Sequence, residues 1–123
     1  MFGYVWSSRR RARKAAECVQ EGERRAKAAL AKGSVKGGPI SESIILNRAY
    51  CAAGGASAMR KAGIMTEYYK SIGLLRAYSQ ELLKRNSGRI FDIEAAYRAA
   101  GVESMAWARR TLDGARARLA VRA

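Results

Sequence analysis

The sequence predicts an all-α protein in which an extended basic N-terminal helix is followed by a small bundle of three to four helices. Residues 9–32 consist largely of alanine, arginine, lysine and glutamate, which are strong helix formers. Apolar residues after position 65 recur at spacings of three, four and seven, as they do along one face of a helix. No segment alternates apolar and polar residues over the length of a strand, so no sheet is expected.

The first two helices are delimited by capping and breaking residues. Ser8 is a suitable N-cap for the first helix, and Gly33 is a suitable stop. The second helix is expected to be short, opening at Ser41 or Ser43 and ending at Gly54-Gly55. Because the apolar face of the first helix is thin, we expect that helix to bury little surface against protein.

Three further helices are expected at residues 65–85, 89–100 and 103–121. Asn86-Ser87-Gly88 ends the first of them and Gly101 ends the second. We therefore divide the chain into a basic N-terminal arm and helix at 1–36, a linker with a short helix at 37–58, and a small helical domain at 59–123.

The charge of the chain points to an anionic partner. Its 123 residues carry 24 lysines and arginines against 10 aspartates and glutamates, a net charge of +14 at pH 7. Residues 9–36 hold ten of these cations and three of the anions, whereas residues 37–58 hold one of each. A basic arm of this kind is typical of proteins that bind nucleic acid.

The residue types required for most catalytic and metal sites are missing. The chain has no histidine, which excludes Ser-His-Asp relays and histidine metal ligands. Cys18 and Cys51 are too few for a zinc site, and Asp92 and Glu94 are two apart and do not share a helix face. We expect no catalytic residue, no metal, no cofactor and no enzyme activity. Cys51, among alanines, is expected in the core, and two free thiols suit a reducing compartment.

Cations interleaved with aromatic residues form the most informative pattern. Arginine binds phosphate with two parallel hydrogen bonds, and aromatic rings stack on unpaired bases. Trp107 and Tyr97 are expected in the core instead. The predicted RNA-binding residues are Arg9, Arg10, Arg11, Arg13, Lys14, Arg24, Arg25, Lys27, Arg60, Lys61, Arg76, Lys84, Arg85 and Arg89.

Four short segments follow one another in the second half of the chain: 60–64 (Arg-Lys-Ala-Gly-Ile), 73–77 (Gly-Leu-Leu-Arg-Ala), 81–85 (Glu-Leu-Leu-Lys-Arg) and 89–95 (Arg-Ile-Phe-Asp-Ile-Glu-Ala). With these segments, residues 45–100 resemble the bacterial-type large-subunit ribosomal protein L-twenty family. That family has a long basic N-terminal helix that threads ribosomal RNA. The resemblance implies ribosomal RNA binding by the arm and by Arg60, Arg76, Lys84 and Arg85.

A shorter segment is similar to the start of the mitochondrial ATP synthase epsilon subunit. Residues 60–64 with Tyr69 follow the family's Trp-Arg-x-Ala-Gly-Ile-Ser-Tyr-x-x-Tyr pattern, with Met59 at the tryptophan position and Thr66 at the first tyrosine. This similarity implies a small non-catalytic accessory subunit of a mitochondrial membrane protein complex.

Three functional classes therefore remain open. The favoured one is a structural RNA-binding protein of a mitochondrial or other organellar ribosome, located in the matrix or organelle interior, with neighbouring proteins of a large complex as further partners. It requires no cleaved presequence, no transmembrane segment and no small-molecule substrate. It predicts that Arg9–Lys14 and Arg76–Arg89 face phosphates and that the arm makes few protein contacts.

The accessory-subunit class predicts that Tyr4, Trp6, Tyr68 and Tyr69 are buried against other subunits. The third class is a free-standing binder of nucleic acid or of a membrane surface.

Overall fold

A computed structural model describes residues 2–33 and 37–122, with side chains from Ser8 onward. The helices are α1 (Phe2–Lys32), α2 (Glu42–Ala62), α3 (Met65–Arg85), α4 (Ile90–Ala100) and α5 (Ala106–Arg122), with a 3-10 turn at Ser87–Arg89. The described residues contain no strand, and the predicted all-α fold is confirmed. No helix in this part of the chain combines the length and the apolar character needed to cross a bilayer.

The central element is α3, which packs against α1, α2 and α5. Its sequence is apolar on more than one side, so Ile72, Leu75, Tyr78, Leu82 and Leu83 are all buried. α1 runs in the same direction as α3, as does α5, whereas α2 and α4 run in the opposite direction. These directions follow from contacts given below and place the start of α3 beside the ends of α2 and α4.

Named contacts fix the direction of each helix. Tyr78 of α3 accepts a hydrogen bond from Arg48 near the start of α2, and Ser71 lies beside Gly55 further along α2. α4 runs parallel to α2, since Tyr50 Oη donates to Asp92 Oδ1 at 3.3 Å and, further along both helices, Arg60 lies beside Gly101. α5 runs parallel to α3, since Gln80 donates to Thr111 at 3.5 Å and, further along both helices, Arg118 donates to the Leu83 carbonyl.

The contact between α1 and α3 depends on two glycines. A Cβ atom at Gly22 would overlap the Lys70 carbonyl oxygen, and one at Gly73 would overlap the Val19 carbonyl oxygen. The two backbones therefore approach so closely that only hydrogen fits at either position. The expectation that α1 buries little against protein and makes few protein contacts is wrong, because small residues replace large apolar ones at this interface.

The glycine pair Gly54-Gly55 does not end α2, contrary to expectation. α2 continues to Ala62 and ends at Gly63, whose φ of 75° is left-handed. Buried alanines on both sides of the pair, Ala53 and Ala56, pack α2 into the core and offset the low helix propensity of glycine. The predicted boundary after residue 58, between the linker and the small helical domain, therefore falls inside this helix.

The other predicted helix ends are close to the observed ones. Ser41 precedes α2, Asn86 ends α3, and Gly101 ends α4 with a φ of 71°. α1 begins at Phe2 rather than at Ser8, and α5 begins at Ala106 rather than at residue 103. The α5 start is later because residues 101–105 form a turn in which Met105 N–H donates to the Val102 carbonyl.

One of the two cysteines lies opposite to expectation. Cys51 is exposed on α2, so its expected place in the core is wrong, and Cys18 is buried where α1 faces α3. Tyr97 is fully buried and packs edge-to-face against half-buried Trp107 at 5.2 Å. The prediction that both rings belong to the core is therefore confirmed.

Candidate nucleic-acid interface

The N-terminal part of α1 projects past the start of α3. Gly22 lies opposite Gly73, so Lys14 lies near the level of Met65, the first residue of α3. The residues of α1 before Lys14 extend beyond that level by about 18 Å, given a rise of about 1.5 Å per residue. α3 lies beside only the last turn of this segment, and the earlier residues extend past the start of α3.

Exposed cations lie on the part of α1 where the projecting segment leaves the bundle. We call Arg9, Arg10, Arg11, Arg13 and Lys14 the arm cations; all are exposed. At 3.6 residues per turn they span an arc of about 200° around the helix. Ala12 and Ala15 occupy the remaining side, which continues into the α3 interface. Among the described residues, Arg9, Arg11, Arg13 and Lys14 have no carboxylate in salt-bridge range.

A second group of cations lies where α2 and α4 end. Arg60, Lys61 and Arg98 line a cavity of about 430 Å³ together with residues 99–101. Among the described residues no carboxylate lines this cavity, although Arg98 also borders a neighbouring cavity that is lined by Glu94 and Glu103. Arg60 and Lys61 belong to the predicted set, whereas Arg98 was missed. Sequence alone gives no signal for Arg98, because only the packing of α4 along α2 brings it beside Arg60.

Both groups lie at the same end of the bundle. α2 ends at Ala62, α3 begins at Met65 and α4 ends at Ala100, while α1 projects past this level. Of the nearby carboxylates, Glu67 is paired with Lys70 at 3.4 Å. We call this end, with the arm cations and Arg60, Lys61 and Arg98, the basic end. The positive dipole end of α3 lies here together with the negative dipole ends of α2 and α4, so the side-chain cations set the charge of this end.

Most other predicted RNA-binding arginines are held by side chains of the protein itself. Arg24 and Arg25 both pair with Glu21 along α1, at 2.9 and 3.1 Å. Arg89 lies 3.6 Å from Asp92. These arginines remain partly exposed, but part of their charge is already compensated.

Arg76 connects helices, and Arg85 ties α3 to the segment before α2. Arg76 lies 3.4 Å from Glu23 of α1 and stacks over the Trp107 ring at 5.5 Å, which ties α3 to α1 and α5. Arg85 pairs with Glu81 at 2.9 Å and donates to the Ile40 carbonyl oxygen. Lys27 and Lys84 are exposed, without a salt bridge within the described part of the chain.

A slot opens between α1 and the start of α3, below the arm cations. Its volume is about 300 Å³, and it is lined by Arg11, Lys14, Ala15, Cys18, Met65, Thr66 and Tyr69. Tyr69 is half-buried and separates this slot from a larger groove of about 450 Å³. The larger groove contains the Glu23 carboxylate beside Arg76 and Trp107. The two spaces therefore differ in charge, since no carboxylate lines the slot.

The slot could be found only in part from the sequence. The cations and Tyr69 stand out as basic and aromatic residues, but Cys18 and Met65 do not. One sequence feature does indicate that α1 and α3 meet here. Cys18, Gly22 and Ala26 recur at a spacing of four, which gives α1 a stripe of small residues. Such a stripe lets a second helix approach closely.

No cluster of three or more cysteine, aspartate or glutamate side chains suited to a metal occurs among the described residues. Burial raises the pKa of the Tyr97 hydroxyl to about 12. No family model, curated protein or solved structure matches this chain.

Proposed function

We propose that this protein is a structural RNA-binding protein that holds RNA phosphates at its basic end. The observation that carries the proposal is the arrangement of the cations. The arm cations lie together on a projecting helix, and Arg60, Lys61 and Arg98 lie around a cavity with no carboxylate in its described lining. Several cations elsewhere, among them Arg24, Arg85, Arg89 and Arg116, pair with Glu21, Glu81, Asp92 or Glu94. Clustered cations such as Arg9, Arg11 and Arg13 on a helix suit a polyanion, since phosphates release their counterions on binding.

We further propose an organellar ribosome as the setting, with ribosomal RNA as the bound polymer. The resemblance of residues 60–95 to the L-twenty family supports this finer proposal. The long basic N-terminal helix seen here also agrees with the helix that this family threads through RNA. In this role the bundle anchors α1 through the Gly22–Gly73 contact, and the arm cations reach between RNA strands.

Charge removal at matched positions tests RNA binding. The triple substitution Arg9→Gln, Arg11→Gln, Arg13→Gln removes arm cations, and the control Arg109→Gln, Arg110→Gln, Arg122→Gln removes the same charge from exposed positions of α5. For single-stranded RNA we expect the arm variant to flatten the slope of log affinity against log salt by about 2, at about 0.7 per phosphate contact. The control should change the slope by less than half of that. Equal effects of the two variants would contradict a specific role of the basic end.

Fractionation tests the setting. Organelles from the native source are solubilised and run on a sucrose gradient with and without RNase, and the protein is located by mass spectrometry. Migration with a ribosomal subunit that is lost on RNase treatment is the expected result. Migration with a respiratory or ATP synthase complex, unchanged by RNase, would refute the ribosomal setting.

The accessory-subunit function is kept as a second candidate because large apolar side chains are exposed. Phe91 and Val121 are 78% and 88% exposed, and Ile64 and Met65 are exposed at the α2–α3 turn. Such residues suit contact with other proteins. Tyr68, which this candidate places against another subunit, is already buried within the protein, and Tyr4 and Trp6 lie outside the described side chains.

A further inference from the structure

We propose that the slot between α1 and α3 holds one unpaired nucleobase of the bound RNA, stacked on Tyr69, while Arg11 and Lys14 hold the flanking phosphates. The inference rests on the proposed RNA binding and narrows it to single-stranded or looped RNA. A base inside a duplex is stacked and paired, so it cannot enter the slot without being extruded.

The lining of the slot suits a base with a phosphate on each side. Tyr69, Met65, Cys18 and Ala15 of its lining offer an aromatic ring and apolar contacts. The lining also contains Lys14 and Arg11, whose guanidinium can donate two parallel hydrogen bonds to a phosphate. A purely apolar occupant would leave these two cations unused, and an acidic peptide would leave the ring unused.

Tyr69 is positioned before any ligand arrives. Its ring packs edge-to-face against Tyr68 with centroids 5.1 Å apart and planes at 66°, and Tyr68 is itself buried. A ring held in this way loses little conformational freedom when a base stacks on it. The neighbouring groove of about 450 Å³ is a poorer site for RNA because the Glu23 carboxylate lines it.

Paired oligomers separate stacking from charge. The full-length protein is titrated with a short fluorescent oligouridylate and with an oligomer of equal length built from abasic units. We expect the wild-type protein to bind the oligouridylate about tenfold more tightly, within the range measured for base–aromatic stacking. Tyr69→Leu should abolish this preference, whereas Tyr69→Phe, which keeps the ring, should retain it.

Tyr50→Leu is the matched control, since Tyr50 is an exposed tyrosine on α2 outside the slot. It should leave the preference unchanged. The arm variant Arg9→Gln, Arg11→Gln, Arg13→Gln should weaken both oligomers. A preference that survives Tyr69→Leu overturns the inference and leaves RNA binding intact. Absence of binding to either oligomer overturns the proposed function itself.

A second measurement does not depend on the folding of a variant. An oligomer that contains 4-thiouridine is crosslinked to the wild-type protein by light, and the modified peptide is identified by mass spectrometry. Crosslinks to residues 65–69 or to Cys18 are expected. Crosslinks confined to other surfaces would overturn the placement of the base.

Discussion

At the scale of single residues, Tyr97 places a hydrogen-bonded hydroxyl group in the core. Ser79 Oγ donates its single proton to the Arg76 carbonyl oxygen at 3.1 Å, so the Tyr97 hydroxyl donates to Ser79 Oγ at 2.5 Å. Both residues are fully buried, and the hydrogen bond satisfies both hydroxyl groups. This pair joins α3 to α4 at the centre of the bundle.

The raised pKa of Tyr97 predicts a loss of stability at high pH. Burial moves this pKa from 10.0 to about 12, so above pH 10 the unfolded chain loses the proton more readily than the folded protein does. The contribution of the buried, neutral Tyr97 hydroxyl to the free energy of unfolding is fully present below pH 10 and is lost between pH 10 and 12. It amounts to about 2 to 3 kcal/mol, at about 1.4 kcal/mol per pH unit.

Chemical denaturation at pH 9, 10 and 11 measures this effect when wild type is compared with Tyr97→Phe. The free energy of unfolding of the wild type should fall more steeply than that of the variant, because phenylalanine has no proton to lose. Other groups titrate equally in both proteins and cancel in the difference. Parallel slopes would show that Tyr97 ionises as readily in the folded state as in the unfolded chain.

At the scale of helices, the contact between α1 and α3 is specified by glycine rather than by large apolar side chains. Gly73→Ala places a Cβ against the Val19 carbonyl and 2.9 Å from the Glu23 nitrogen, so backbone rather than a flexible side chain must move. We expect a cost of about 1 to 3 kcal/mol, as for other overpacked contacts. Amide hydrogen exchange in residues 15–30 of α1 should increase most.

Gly54→Ala is the matched control, because Gly54 is exposed within α2 and nothing lies within 4 Å of its added Cβ. Alanine has the higher helix propensity, so this variant should gain about 0.5 to 1 kcal/mol. Thermal unfolding of the two variants should therefore shift in opposite directions. A neutral Gly73→Ala would show that α1 does not lie as close to α3 as the structure places it.

The sequence predicts these helices better than it predicts their packing. Asn86 and Gly101 end helices as expected, because Gly101 adopts a left-handed φ of 71° and the Asn86 side chain accepts a hydrogen bond from the Gly88 N–H. Gly54-Gly55 fails as a stop because Ala53 and Ala56 are buried on either side. The burial of α1 is missed because a count of large apolar side chains ignores Cys18, Gly22 and Ala26, whose small size is what allows the close approach.

At the scale of the whole molecule, the basic end is a product of topology. The sequence identifies the arm cations, Arg60 and Lys61, but their meeting requires α1 to run parallel to α3 and α4 to follow α2. Only that arrangement adds Arg98 to the same end and makes Arg76 a bridge between α3 and its neighbours α1 and α5. Local sequence therefore predicts which residues are cationic, and long-range packing decides which of them remain open to a ligand.

Salt should have opposite effects on the folding and on the RNA binding of this protein. A net charge of +14 destabilises the compact state through self-repulsion, and added salt screens it. We expect the Tm at pH 7 to rise between about 20 and about 300 mM NaCl, a range over which the Debye length shortens several-fold, whereas affinity for RNA falls. Removing arm cations with Arg9→Gln, Arg11→Gln, Arg13→Gln should raise the Tm at low salt and reduce its salt dependence. A Tm that falls with salt would show that ion pairs such as Arg76–Glu23 and Arg116–Glu94 outweigh the repulsion.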